Sequence, residues 1–213
     1  MWDGSERGSQ LAETVTALGW RRTPAHFRRD PVDSSTECAE GPRRATGNLP
    51  VMEPVTESEV RASFVNCSKG DAKRLPVPRD LDNRPWDDLD FLGWSDPSFA
   101  GRCYLVFPTD DRLIGIALRH ESNASVRAQM CSICMTTHSR GGVALMTARK
   151  VGESGRRGNT IGIYICADLA CSLYARRKKT PSLGNQYRED LTADERSERV
   201  RDNIAAFIAR LGD

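Results

Sequence analysis

The chain has 213 residues, 38% hydrophobic and only 7% aromatic, with 31 basic side chains against 29 acidic ones and a formal net charge of +2. That length admits one ordinary domain plus a tail, or two small domains, and so balanced a charge excludes a polycation that grips nucleic acid with its whole surface. No apolar run approaches the ~18 residues of a transmembrane helix, and the start Met1-Trp2-Asp3-Gly4 lacks the basic-then-apolar order of a secretory signal.

Residues 1–51 scatter Arg, Gly, Pro, Ser and Thr with little apolar periodicity. Such a segment buries too little surface to offset its ordering entropy, so a disordered tail is expected, with one weak helix over Gln10 to Trp20. Met52 is followed at once by an ordered-looking pattern and is a candidate true initiator; N-terminal sequencing that finds earlier residues in the native protein excludes it. The ordered domain is expected over 52–213.

Thr56 to about Asn66 reads as a helix, with a capping box from Thr56 and Glu59 and a staple from Val55 onto Val60. Gly70 ends that segment or the loop after it. Residues 75–101, with Pro76, Pro78, Pro85 and Pro97, read as irregular chain pinned to the core by Trp86, Leu89, Phe91, Leu92 and Trp94. Arg102 to Pro108 and Arg112 to Arg119 alternate as a β-hairpin, with Cys103, Leu105 and Phe107 facing Ile114, Ile116 and Leu118. A second hairpin is expected from Val143 to Lys150 and Thr160 to Ile165, with a mobile loop over Gly152 to Asn159. A helix should run from Asp168 to about Lys179 and stop before Pro181. The last helix opens on the capping box of Thr192 and Glu195. It carries Val200, Ile204, Phe207, Ile208 and Leu211 on one stripe, and Gly212 follows.

The chemistry concentrates in two cysteine pairs, Cys131-Ser-Ile-Cys134 and Cys166-Ala-Asp-Leu-Ala-Cys171. Thiolates three positions apart turn back on one ion, and two such pairs supply the four soft ligands of a closed tetrahedral zinc site. The bland alternative is four buried free thiols. His138 either replaces one cysteine or stands outside the site as a donor or surface residue. Seven cysteines is an odd number, and with paired spacing and no export signal it points to metal binding in a reducing cytoplasm rather than to disulfides. Cys67 and Cys103 read as core residues, and Cys38 lies in the tail. The order knuckle, hairpin, ligand-bearing helix start is that of a treble-clef zinc finger, so the expected fold is α+β. Antiparallel hairpins and flanking helices, including the amphipathic C-terminal one, surround a single structural Zn2+.

Enzyme readings fare poorly. Asp87-Asp88-Leu89-Asp90 suggests a magnesium site but reads better as a solvated turn. Ser95 and His120 lack a nucleophile elbow. A zinc deaminase needs His-x-Glu and Pro-Cys-x-x-Cys, whereas Met130 precedes Cys131 here. The basic run Arg176-Arg177-Lys178-Lys179 suits a helix C-terminus. With Arg149, Lys150, Arg156, Arg157 and Tyr174 it is either a solvated helix end or a contact face for RNA or an acidic protein.

Four stretches carry a family resemblance: Phe64-Val65-Asn66-Cys67-Ser68-Lys69-Gly70, Trp86 to Trp94, Met130 to His138, and Tyr164 to Tyr174. Together they resemble the actinobacterial relatives of the elongation factor G-binding proteins of the FusB type, over roughly Val55 to Leu211. The resemblance implies a cytoplasmic, non-enzymatic protein that docks on elongation factor G, the ribosome or both through its zinc finger, with RNA as a further contact. Resistance members of that family free the factor from ribosomes stalled by fusidic acid. Cys131, Cys134, Cys166 and Cys171 carry over as zinc ligands. Tyr174, Arg176, Arg177, Lys178, Arg156 and Arg157 are nominated for partner binding. No membrane and no small-molecule substrate are expected, and the alternative is a zinc-finger binder of ribosomal RNA. One departure is that residues 1–51 are too short and polar for the helical bundle that precedes the zinc domain in the resistance proteins.

Overall fold

A computed structural model describes residues 51–120, 127–181 and 189–212. The expectations for residues 1–50, including the Gln10–Trp20 helix and Cys38, lie outside them. The fold is α+β, with a five-stranded antiparallel sheet in the order β1-β2-β3-β6-β7. Its strands are β1 Leu92–Ser95, β2 Arg102–Pro108, β3 Leu113–His120, β6 Val143–Arg149 and β7 Thr160–Cys166. The two expected hairpins are therefore halves of one sheet, joined where Leu118, Arg119 and His120 pair with Ala148, Thr147 and Met146. Two short strands, β4 Gln129–Met130 and β5 Thr137–His138, pair beside it and bracket the first cysteine pair.

Helix α1, Glu57–Ser63, has the expected capping box on Thr56. Its end is tied to the sheet: Val65 N–H donates to Gly115 O at 3.0 Å. A second helix, α2 Lys69–Arg74, contains Gly70 instead of ending there. Ser68 caps it by accepting from Asp71 N–H, and six residues are too few for a periodic signal in sequence.

The irregular reading of 75–101 is corrected by β1, whose register runs from Leu92↔Val106 to Ser95↔Cys103. A four-residue strand between prolines and aspartates is stabilised by its partner strand more than by its own pattern. Consequently β2 is buried on both faces: Cys103, Leu105 and Phe107 on one, Tyr104 and Val106 on the other. The second face is covered by Met52, Val60, Leu75 and Trp94. There the ring of Phe64 meets Trp94 and Tyr104 edge-on. Trp94 Nε1–H donates to Pro76 O at 2.7 Å and Trp86 Nε1–H to Leu81 O at 3.0 Å, so these tryptophans do pin the loop.

The first face carries the larger core. Helix α5, Ala193–Gly212, lays Val200, Ile204, Phe207 and Leu211 against Met146, Ile165 and the four cysteines. Its N-terminus has the expected box: Glu195 N–H donates to Thr192 Oγ1 and Thr192 N–H to the Glu195 carboxylate. Between β6 and β7 the expected mobile loop contains a helical turn, α3 Gly152–Arg156, and Val151 N–H donates to Leu211 O. The helix expected over 168–179 is shorter, α4 Cys171–Ala175. Leu169 at φ 57° breaks it on one side and Arg177 at φ 58° on the other.

Gly93 fastens β1 to the second cysteine loop. A Cβ there would lie 2.7 Å from Leu169 Cβ and 3.3 Å from Leu169 O. Gly93→Ala is expected to cost about 1–3 kcal/mol by overpacking. Urea unfolding should show a lower midpoint at unchanged slope; an unchanged midpoint would show that the loop gives way freely.

Candidate metal centre

The knuckle between β4 and β5 shapes the first half of the site. Cys131 N–H donates to Thr136 O and Met135 N–H to Cys131 O, closing the turn. That closure puts Met135 at φ 59°. Inside it the N–H groups of Ile133 and Cys134 point at Cys131 Sγ, at 3.3 and 3.5 Å. The second half comes from the end of β7 and the first turn of α4. Left-handed Leu169 turns the chain between Cys166 and Cys171, which is how a four-residue spacer still returns to one point. Asp168 holds that loop, accepting from Ala170 N–H and from the Tyr174 hydroxyl.

All four sulfur atoms are buried and lie within 4.8 Å of one another. Cys131 and Cys171 are 3.7 Å apart, Cys134 and Cys166 3.5 Å. A zinc tetrahedron with bonds of about 2.3 Å has sulfur–sulfur edges of about 3.8 Å, whereas a disulfide is about 2.05 Å long. The set therefore fits one four-coordinate ion. Burial raises the Cys171 thiol, while thiol donors from Cys131, Cys166 and Cys171 lower that of Cys134. Four simultaneous thiolates in so dry a site require a dication, and the donor set suits Zn2+. His138 is buried with Nε2 3.3 Å from Cys166 Sγ, and its ring meets the edge of Tyr174. It stands outside the four-sulfur set, within hydrogen-bonding distance of one of the four.

Helix α5 grips the same knuckle. Asn203 Nδ2 donates to Ile133 O and Arg199 Nη2 to Cys134 O. Arg196 Nε donates to Ala175 O, at the end of α4. These three side chains, seven positions from first to last, run along one side of the apolar stripe and were not singled out from sequence.

An interior ion cluster also escaped the sequence reading. Asp90, with no exposed surface, receives Arg176 through two bonds of 2.6 and 3.0 Å and Arg201 Nη1 at 3.0 Å. Its N–H donates to Ser172 Oγ. The expected solvated turn is thus corrected: its last carboxylate is an interior anchor joining the tryptophan segment to α4 and α5.

The nominated partner-binding residues divide. Tyr174 is buried, its hydroxyl on Asp168, and burial is the main reason its proton is held well above the usual phenol range. Arg176 is locked on Asp90. Lys178 pairs with Asp88 and Lys179 with Asp168, so most of the basic run is neutralised within the fold. Arg156 and Arg157 are about three-quarters exposed, each paired to Glu153. Arg177 is exposed, and its guanidinium makes no hydrogen bond or ion pair among the described residues. The structure leaves large apolar side chains open around the knuckle instead: Met130, Met135, and the cross-strand neighbours Leu145 and Tyr164. Tyr164 adjoins it directly, since Ser132 N–H donates to Tyr164 O.

Comparison with known proteins follows the same outline. The sequence model described as FBP C-terminal treble-clef zinc-finger matches residues 59–211. No curated protein matches the chain. Among solved structures, "Structure of the fusidic acid resistance protein FusC" is similar, at 19% identity and a TM-score of 0.48. The alignment covers 75% of this chain and 60% of that one, so the chain spans less than two thirds of that protein's length.

Proposed function

Because the chain belongs to the FBP C-terminal treble-clef zinc-finger family, we propose that it is a non-enzymatic binding protein of the translation apparatus that docks on elongation factor G. The observation that carries this reading is a closed four-sulfur centre beneath an open apolar surface. Four protein ligands leave no position for water or substrate, so the ion's work is to hold shape. What it holds is the knuckle, and what the knuckle presents is Met130 and Met135, with Leu145 and Tyr164 beside it, each 41–48% exposed. Exposed apolar groups collected at one place are the usual core of a protein interface. Methionine adapts its shape to a partner more readily than a branched side chain does. The exposed cation Arg177, beside Met130 and Met135, suits its rim, where charge steers encounter more than it sets affinity. No helix of the described residues is long and apolar enough to cross a membrane. The reducing cytoplasm, where thiolates persist and elongation factors work, is the compartment this reading requires. Release of fusidic-acid-stalled factor is a further activity to be assayed separately.

The zinc-loaded chain, immobilised at low salt, should retain elongation factor G from same-species lysate. Retention should survive nuclease and be lost after zinc removal. Recovery of ribosomal RNA alone, abolished by nuclease, would replace this reading with the RNA-binding one.

A further inference from the structure

Beside the metal centre lies a cleft of about 170 Å³ between the knuckle and the start of α5. Met130 and Met135 form its apolar side, and Arg177, Arg196 and Arg199 its cationic side, with Glu189 as the acid lining it. Arg196 is more than nine-tenths buried. Its Nε and Nη1 donate to the carbonyls of Ala175 and Leu191, and its Nη2 has no partner among the described residues. Arg199 donates through Nη1 and Nη2 to Glu189, so that carboxylate is already engaged. With Arg199 answered by Glu189, the guanidiniums of Arg177 and Arg196 are the ones left to meet a ligand. Cys134 of the metal centre also lines the cleft, and its charge acts on Arg199 together with that of Glu189.

Backbone conformation points to the same place. Among the described residues three non-glycines occupy the left-handed region, and two of them, Met135 and Arg177, line this cleft. Arg177 ends α4 in a Schellman motif, with Lys178 N–H on Leu173 O and its own N–H on Tyr174 O. Glycine is the usual residue there. An arginine held at such a position, its exposed guanidinium without a partner among the described residues, retains backbone strain of the kind that collects at functional sites.

We propose that this cleft is a carboxylate site: it takes an acidic side chain, flanked by apolar residues, from a protein segment that docks across the zinc knuckle. The proposal rests on the reading that the module docks on a protein, and it supplies the chemistry of the docked segment. A guanidinium presents a planar fork that matches a carboxylate, and the methionines suit the apolar flanks better than they suit a nucleic-acid backbone.

The test uses the zinc-loaded full chain, following arginine Nε–H and methionine methyl signals by NMR. The probes are acetyl-Leu-Glu-Leu-amide, its Gln counterpart, inorganic phosphate and an oligouridine. The Glu peptide should move the signals of Arg177, Arg196, Met130 and Met135 together. It should bind roughly tenfold more tightly than the Gln peptide, about 1.4 kcal/mol, and Arg177→Gln should remove most of that preference. Equal shifts from both peptides overturn the proposal. So do arginine shifts produced more strongly by phosphate or oligouridine with the methionines unmoved, which would assign the cleft to RNA. Capture of elongation factor G that persists in the face of either result would leave the docking reading standing without this site.

Discussion

Cys166→Ser is expected to abolish metal binding and to unfold the module, not merely to loosen it. A structural zinc ion contributes on the order of 10 kcal/mol to the folding of such a module, and a domain's whole stability is only about 5–15 kcal/mol. Loss of the ion therefore removes a term as large as the net. The geometry says why the damage would spread. The cysteines are members of the larger core, packed with Val143, Met146 and Ile165 of the sheet and with Val200 and Ile204 of α5. Without the ion, the fold would bury four sulfurs that burial and crowding prevent from ionising together. The expected result is near-complete loss of one equivalent of zinc and of near-ultraviolet circular dichroism. Cys67→Ser, at a half-buried residue outside the cluster, should retain both. Acid should act like the substitution, since protons compete with the metal for thiolates and affinity falls with pH. A Cys166→Ser protein that keeps one zinc and an unchanged unfolding midpoint would show that the four sulfurs are not the site.

Asp90→Ala should be the most damaging change outside the metal ligands, at about 3–5 kcal/mol. The carboxylate is fully buried, and its removal would strand the guanidiniums of Arg176 and Arg201, whose side chains are 14% and 9% exposed. Arg201 Nε already lacks a partner, so the network has no spare acceptor. The informative contrast is Lys178→Ala. It removes an ion pair to Asp88 of equally short length, but from a lysine side chain that is 56% exposed. Such a pair contributes about 0–1 kcal/mol. Urea midpoints at constant slope separate the two. Equal losses for Asp90→Ala and Lys178→Ala would mean that the burial of Asp90 carries no energetic weight.

What was legible from sequence is what is local. The cysteine spacings, the two capping boxes and the alternation of β2 and β3 each span a few residues, and each names its own geometry. The stripe of α5 was legible for the same reason, with Val200, Ile204, Phe207 and Leu211 all buried. Short elements without a period of their own were not: β1 and α2 exist because β2 and α1 receive them. Charge was the least legible property. Arg176 and Asp90 stand 86 positions apart, and a run of four cations looks solvated until its acids are located. Asp88, Asp90 and Asp168 meet three of the four, which leaves Arg177 as the member open to a partner. Tyr174, nominated for contact, is buried, and its ring packs on His138 behind the zinc site. Met130, Met135, Leu145 and Tyr164 gave no warning either. Apolar residues in strands read as core, and only the sheet shows that one face of β6 and β7 lies open.

One measurement decides whether the zinc knuckle docks on elongation factor G: titration calorimetry of the purified, zinc-loaded chain into the purified factor, repeated after metal removal. Saturable one-to-one binding that disappears with the zinc is the predicted result. Absence of heat at concentrations near 100 μM, where even weak specific complexes of about −5 kcal/mol begin to form, would contradict it. So would binding that persists unchanged in the metal-free chain.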